Sequence, residues 1–213
     1  MNNKVKMKKS LGFTLIELVI VVVILGFLAV TAIPKFLDLT DQAKQANIEG
    51  MAGGFATAIS LARAQWEAEG RPKNGTGQNS VDYDGSTLVL TTEVAKTATN
   101  PGVRPGYVTG LTDGAGLGTG FDNNCIEIWD NILQQPPRIT DSITLLNSDS
   151  SFRYYASENG AAAASTCHYY LKESLTRDTS GNYLEPAAGS TATGNSFTYK
   201  PATSTVTVHI ASN

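Results

Sequence analysis

Between Phe13 and Ile33 the chain reads FTLIELVIVVVILGFLAVTAI, where Glu17 is the only charge and Thr14 and Thr31 the only other polar side chains. At 1.5 Å per residue this stretch makes roughly 30 Å of helix, the hydrocarbon thickness of a bilayer. Lipid leaves a backbone no outside partner for its hydrogen bonds, so the run predicts a spanning helix despite its Val and Ile content. After Pro34 the apolar positions thin to a stripe. Ile48, Met51/Ala52, Phe55, Ile59, Ala62 and Trp66 recur at three- and four-residue steps, with Lys44, Glu49, Arg63 and Glu67 off that face. Asp38 and Asp41 stand early in this second half, and Gly70 followed by Pro72 supplies the stop. The pattern predicts one helix over 13–69, roughly 85 Å if unbroken. Pro34 removes a hydrogen bond and kinks it. Gly50, Gly53 and Gly54 each cost about 1 kcal/mol relative to Ala, which implies local softness or close packing there.

Residues 71–213 are ample for a core. The segments 73–80 and 109–120, rich in Gly, Asn and Thr, read as loops, and Ser86–Leu90 as a short strand. Over 124–133, Cys125, Ile128/Trp129 and Ile132/Leu133 share one helical face; Asn123 or Asn124 can cap it and Pro136-Pro137 ends it. Two pairs of strand-like runs follow. Residues 152–156 and 167–172 flank Asn159-Gly160, while 196–200 and 203–210 flank Pro201-Ala202. Thr205-Val206-Thr207-Val208-His209-Ile210 alternates strictly, so one face is expected buried and one wet. Two successive hairpins predict a four-stranded antiparallel sheet over the amphipathic half of the helix, an α+β fold.

Composition sharpens this picture. Only 16% of residues are charged and the pI is near 5.4, so nothing marks a partner made of duplex nucleic acid. The first charges are all positive: Lys4, Lys6, Lys8 and Lys9 precede the apolar run, and none of the 19 acids does. By the positive-inside rule that end stays in the cytoplasm and everything after Ile33 is exported. An ordinary secretory signal would be cut after its apolar stretch, but here the stretch continues into Pro34 and further helix. Cys125 and Cys167 then lie where oxidation is favoured; they pair with each other or remain two buried thiols.

Catalytic motifs are missing. No nucleophile elbow, phosphate loop, HExxH or CxxC occurs, so no enzyme is expected and no cofactor. Asp82-Tyr83-Asp84-Gly85 has a faint calcium-loop look without the spaced ligands of an EF-hand, and no metal site is assigned. His168 and His209 read as ordinary exposed or hydrogen-bonded side chains. In Tyr154-Tyr155 and Tyr169-Tyr170 neighbours face opposite sides of a strand, one into the core and one as cross-strand cladding.

The most specific feature precedes the apolar run, where Lys8-Lys9-Ser10-Leu11-Gly12 meets Phe13-Thr14-Leu15-Ile16-Glu17. The stretch KKSLGFTLIELVIVVVILGFLAVTAIP resembles the type III signal of type IV pilins and of type II secretion pseudopilins, and its Phe and short leader resemble the type IVa branch. The resemblance implies that a membrane prepilin peptidase cuts after Gly12, on the cytoplasmic side, and methylates the new amine of Phe13. It aligns Gly26 and Pro34 with the family's helix-loosening positions. It gives Glu17 an assembly role, in which the carboxylate neutralises the Phe13 amine of a neighbouring subunit; four residues apart on one helix, the two could equally pair within a chain. It also implies the Cys125–Cys167 bridge, which relatives use to staple the C-terminal region, and the pilin arrangement of long helix and antiparallel sheet. The resulting division is a cleaved leader (1–12), a membrane half (13–33), an amphipathic half (34–70) and a globular body (71–213).

The function so implied is a structural pilus subunit, a homopolymer built by an inner-membrane assembly platform. It begins as a single-pass inner-membrane precursor with a periplasmic C-terminus and ends on the surface of a Gram-negative cell, serving attachment and biofilm formation. Pro34-Lys35-Phe36-Leu37-Asp38-Leu39 and the Met51–Trp66 stretch look most like the mannose-sensitive haemagglutinin type of major pilin. A type II secretion pseudopilin is the alternative within the family, although the long body and the cysteine pair argue against it. A membrane-anchored enzyme or sugar-binding protein would use the helix as a plain anchor, and Gly12, Phe13 and Glu17 together argue against that.

Overall fold

A computed structural model describes residues 12–98, 102–111, 124–160 and 162–211. Helix α1 runs Leu15–Ala68, with Pro34 inside it. The chain divides into two compact units, one ending at Ala43 and the other beginning at Lys44. In the first, the large apolar side chains from Leu15 to Leu39 all stand exposed. Among the described residues this is one helix long and apolar enough to cross a membrane.

The second unit takes up the rest of α1. Ile48, Ala52, Phe55, Ile59, Ala62 and Trp66 are its buried positions, the stripe that helical spacing picks out. Its end is a Schellman motif: Arg71 N–H donates to the Trp66 carbonyl at 2.9 Å and Gly70 N–H to the Glu67 carbonyl at 3.2 Å. Gly70 sits at φ +79°, which a residue with a Cβ adopts only at a cost.

Two sheets meet this helix. The first is antiparallel in order β1 (Ser80–Tyr83), β2 (Ser86–Leu90), β3 (Val108–Gly110). β1 and β2 form a hairpin whose turn is Asp84 (φ 47°) and Gly85 (φ 86°), the Asp-Gly pair that a two-residue turn with positive φ demands. Asp82 Oδ1 accepts the Thr87 hydroxyl across the hairpin at 2.6 Å. β3 arises within the stretch expected to be loop, because pairing with β2 rewards a segment too short to carry a pattern of its own.

After α2 (Asn124–Ile132) comes the larger sheet: β4 (Ile139–Thr140), β5 (Tyr154–Asn159), β6 (Thr166–Leu171), β7 (Ser196–Lys200) and β8 (Thr205–His209), in that spatial order. The four expected strands form the antiparallel part. β4 adds a short parallel fifth, reached through helix α3 (Ile143–Ser148), which Ser142 caps by accepting from the Leu145 N–H. The expected capping residue Asn123 of α2 lies outside the described residues.

Phe55 is the centre of the core. Its ring lies 5.3 Å from Tyr169, 5.3 Å from Phe197, 5.4 Å from Tyr199 and 6.4 Å from Trp129, spacings at which aromatic pairs add to simple burial. Tyr154 joins this cluster while Tyr155 faces away, and Tyr169 and Tyr170 divide in the same manner. The outward pair is not mere cladding: Tyr155 and Tyr170 form a second buried cluster with Leu146 of α3 and Leu175. β8 is wetter than its alternation implies, with Val206 and Val208 only partly buried, because it is the sheet's edge. His168 is also a departure. It is 4% exposed and its Nδ1 has no partner, so it is a buried residue rather than a surface one.

Candidate assembly segment and disulfide

The candidate site is linear and begins where the helix begins. Gly12 and Phe13 precede α1 in non-helical conformation, and the Phe13 side chain is 86% exposed. Nothing lies within 4 Å of where a Cβ on Gly12 would be. Among the described residues, none crowds Gly12.

Thr14 is the residue that the sequence reading passed over. It occupies the N-cap and Glu17 the N3 position, and the two bond reciprocally. Thr14 N–H donates to Glu17 Oε2 at 2.9 Å, the Thr14 hydroxyl donates to the same oxygen at 2.7 Å, and Glu17 N–H donates to Thr14 Oγ1 at 3.3 Å. This is a capping box, which satisfies amides that the first helical turn leaves orphaned. The signal was present as Thr-x-x-Glu directly before an apolar run. In the uncleaved chain the nitrogen of Phe13 is an amide, and Glu17 is held by Thr14 instead.

Farther along, Gly26 has open space around its missing Cβ. Pro34 lacks the N–H that would bond the carbonyl four residues back, yet the helix continues through it. Thr31 and Thr40 turn their hydroxyls onto the carbonyls of Leu28 and Phe36 at 3.0 and 2.9 Å, keeping their polarity within the helix. Lys35 and Asp38 pair at 3.3 Å, the first ion pair among the described residues after the apolar stretch.

In the second unit Cys125 of α2 and Cys167 of β6 form a disulfide across 42 positions of sequence. It ties α2 to the middle of the large sheet, and Tyr169 Oη reinforces the tie by donating to the Cys125 carbonyl at 2.8 Å. Burial pushes the Tyr169 hydroxyl well above its ordinary pKa, as it does for Tyr199, whose Oη donates to the Val108 carbonyl at 2.9 Å and joins the two sheets. These phenols act as permanent donors. The His168 imidazole is shifted below its usual pKa by burial and then by its electrostatic interaction with His209. Among the described residues no three His, Cys, Asp or Glu side chains converge as a metal site would require.

Comparison with known proteins places a family motif at the start of the first helix. Residues 7–33 match the prokaryotic N-terminal methylation motif. The type IV narrow pilus major component of Thermus thermophilus is 50% identical over 64 residues, which is 30% of this chain and 53% of that protein. A probable minor fimbrial protein of Dichelobacter nodosus is 33% identical over 127 residues, covering 57% of this chain and 77% of the relative. The type II secretion system core protein G of Pseudomonas aeruginosa is 41% identical over 54 residues, 25% of this chain and 38% of its own length. The chain therefore spans about half the length of the Thermus relative and three quarters of the Dichelobacter one. No solved structure matches.

Proposed function

Because the chain belongs to the type IV pilin family, we propose that it is a structural pilus subunit, stored in the inner membrane and polymerised through α1 into an extracellular filament. The observation that carries this reading is the exposed apolar surface from Phe13 to Ile33, interrupted by one carboxylate, Glu17, and preceded by the Gly12–Phe13 junction. Such a surface needs either lipid or copies of itself.

Hydrolysis of the Gly12–Phe13 peptide by prepilin peptidase creates an amine one residue from the capping box. Glu17 then has a cation within reach, in its own chain or a neighbour's. An unpaired carboxylate deep in lipid costs about 3 kcal/mol, so a subunit whose carboxylate meets an amine is favoured over one whose carboxylate does not. Thr14 holds Glu17 in place until that amine exists. Methylation of Phe13 keeps the positive charge.

The same reading assigns a structural rather than catalytic role, a periplasmic C-terminus before assembly, and an inner-membrane platform as the assembly partner of a Gram-negative cell. Pro34–Leu39 and Met51–Trp66 support the mannose-sensitive haemagglutinin type of pilin, with surface attachment and biofilm formation as its use. The likeness to a secretion core protein supports a second reading, a pseudopilin, but it covers only 25% of this chain.

Mass spectrometry of sheared surface material tests the proposal. Fibres whose subunits begin at methylated Phe13 are expected, and a mature product starting beyond residue 33 would overturn it. Glu17→Gln should leave insertion and cleavage intact and cut surface filament yield at least tenfold. Normal filaments from that variant would remove Glu17 from assembly.

A further inference from the structure

On the outer side of the large sheet, beside α3, lies a cavity of about 410 Å³. It falls in the range of small-ligand sites. Its walls come from the α3–β5 connection, the end of β6 and the long excursion between β6 and β7. The body of this protein is acidic, but the cavity is not: Arg153, Lys172 and Arg177 line it against a single carboxylate, Glu173.

That carboxylate is taken. Glu173 pairs with Arg153 at 3.1 Å. The nearby carboxylate of Asp149 accepts from Arg138 at 3.0 Å and from Ser151, and Asp178 is consumed by the N–H groups of Ser180 and Asn182 in its own turn. Among the described residues neither Lys172 nor Arg177 forms an ion pair. Both are held by a ring: Lys172 Nζ lies 5.3 Å from the Tyr183 centroid and the Arg177 guanidinium 4.1 Å from it.

Lys172 is the unusual member. It is 9% exposed, and its ammonium donates to the Asp149 carbonyl at 3.1 Å. Lysines are rarely buried without a counter-charge. Burial first, then Arg177 and Arg153, push its pKa below the ordinary lysine value, against the pull of Asp149. The wall bearing Tyr183 is fixed in place, since Tyr183 N–H donates to Asn147 Oδ1 at 2.7 Å and Asn147 Nδ2 donates to the Tyr183 carbonyl at 3.0 Å. Two cations without a direct ion-pair partner among the described residues, on a fixed frame, form a receptor for an anion.

We propose that this cavity binds the anionic group, a sulfate ester or carboxylate, of an acidic saccharide. Lys172 and Arg177 contact the charge, while the Ser150 hydroxyl, the acceptor side of the Ser148 hydroxyl and the remaining capacity of the Asn182 amide meet the sugar's hydroxyls; Asn147 is spent on Tyr183 and Ile143. Groups that both donate and accept suit a polyol. Two cations in one half-open pocket suit one charged residue of a glycan rather than the repeating phosphates of a nucleic acid, which are held by many cations along a track. The site lies wholly within the second unit and stands whether or not the chain polymerises.

The test is calorimetric titration of the full chain in non-ionic detergent micelles, at constant ionic strength. The probes are a sulfated heparin tetrasaccharide, its desulfated but carboxylated counterpart, and inorganic sulfate. At least one saccharide should bind, more weakly as salt rises, and the two distinguish sulfate ester from carboxylate. Arg177→Gln, an exposed change, should weaken that binding at least tenfold with unchanged circular dichroism, and Lys172→Met should abolish it. Lys73→Gln, outside the cavity, should leave it unaltered. Binding of inorganic sulfate as tight as that of either sugar, equal loss with Lys73→Gln, no effect of Arg177→Gln, or no saccharide binding would each overturn the proposal. If Lys172→Met fails to fold, Arg177→Gln and Tyr183→Ala decide alone.

Discussion

Glu17 and His168 are both ionisable groups in unusual surroundings, and the chain treats them differently. Glu17 has a local partner three residues away, so a Thr-x-x-Glu pattern anticipates its contacts. His168 owes its state to distant sequence. β7 and β8 place Thr198 opposite it and His209 two strands away, and Tyr170 lies beside its ring. No local pattern reveals that burial, so the sequence implies only an ordinary exposed or hydrogen-bonded side chain there. Its depressed pKa has a definite sign. The folded state resists a proton that the unfolded chain accepts near pH 6.5. Stability is therefore complete above that pH and falls as pH drops from about 6.5 toward the folded value. Melting temperature measured between pH 7.5 and 5 should decline over that window, and His168→Gln should flatten the decline. A profile identical in the variant would assign the pH effect to other groups, His209 first, since burial depresses its pKa too.

Elements with a strong period were legible. The buried stripe of α1 followed from spacing alone, and so did its end, since Gly70 and Pro72 stand where a Schellman motif needs them. β7 fell on the expected residues, and the other long strands shifted by a few positions. The short elements β1, β3, β4 and α3 were not read, because two to six residues hold too little pattern to separate from loop. Asp84-Gly85 is the exception, a two-residue turn signal carried entirely by local sequence. The three glycines in the second half of α1 have a partial account. A Cβ on Gly50, Gly53 or Gly54 would meet nothing within 4 Å, so the folded monomer does not require them. Gly53→Ala should stabilise the monomer by about 1 kcal/mol, read as a raised melting temperature. Lost filaments in that same variant would place this helix face against a neighbouring subunit; a lowered melting temperature would contradict the open space seen here.

For the molecule as a whole, the disulfide is the main covalent constraint. It closes 42 positions between α2 and β6, and in the chain-entropy view such a loop contributes about 4 kcal/mol by restricting the unfolded chain. Cys125→Ser should lower the melting temperature and the pilus yield together, and melting that does not change would remove the bridge from the stability of the fold.

The N-terminal third was set by sequence alone. Hydrophobic length, lysine position, the Gly12–Phe13 junction and a lone acid are local facts, and a single helix has no topology left to choose. What only the tertiary structure decided lies in the body. There the strand order, the second buried cluster behind Tyr155 and Tyr170, the burial of His168 and the meeting of Lys172 with Arg177 and Tyr183 depend on which distant segments pair. Pairing energy is shared among residues far apart in the chain, and no window of sequence contains both partners.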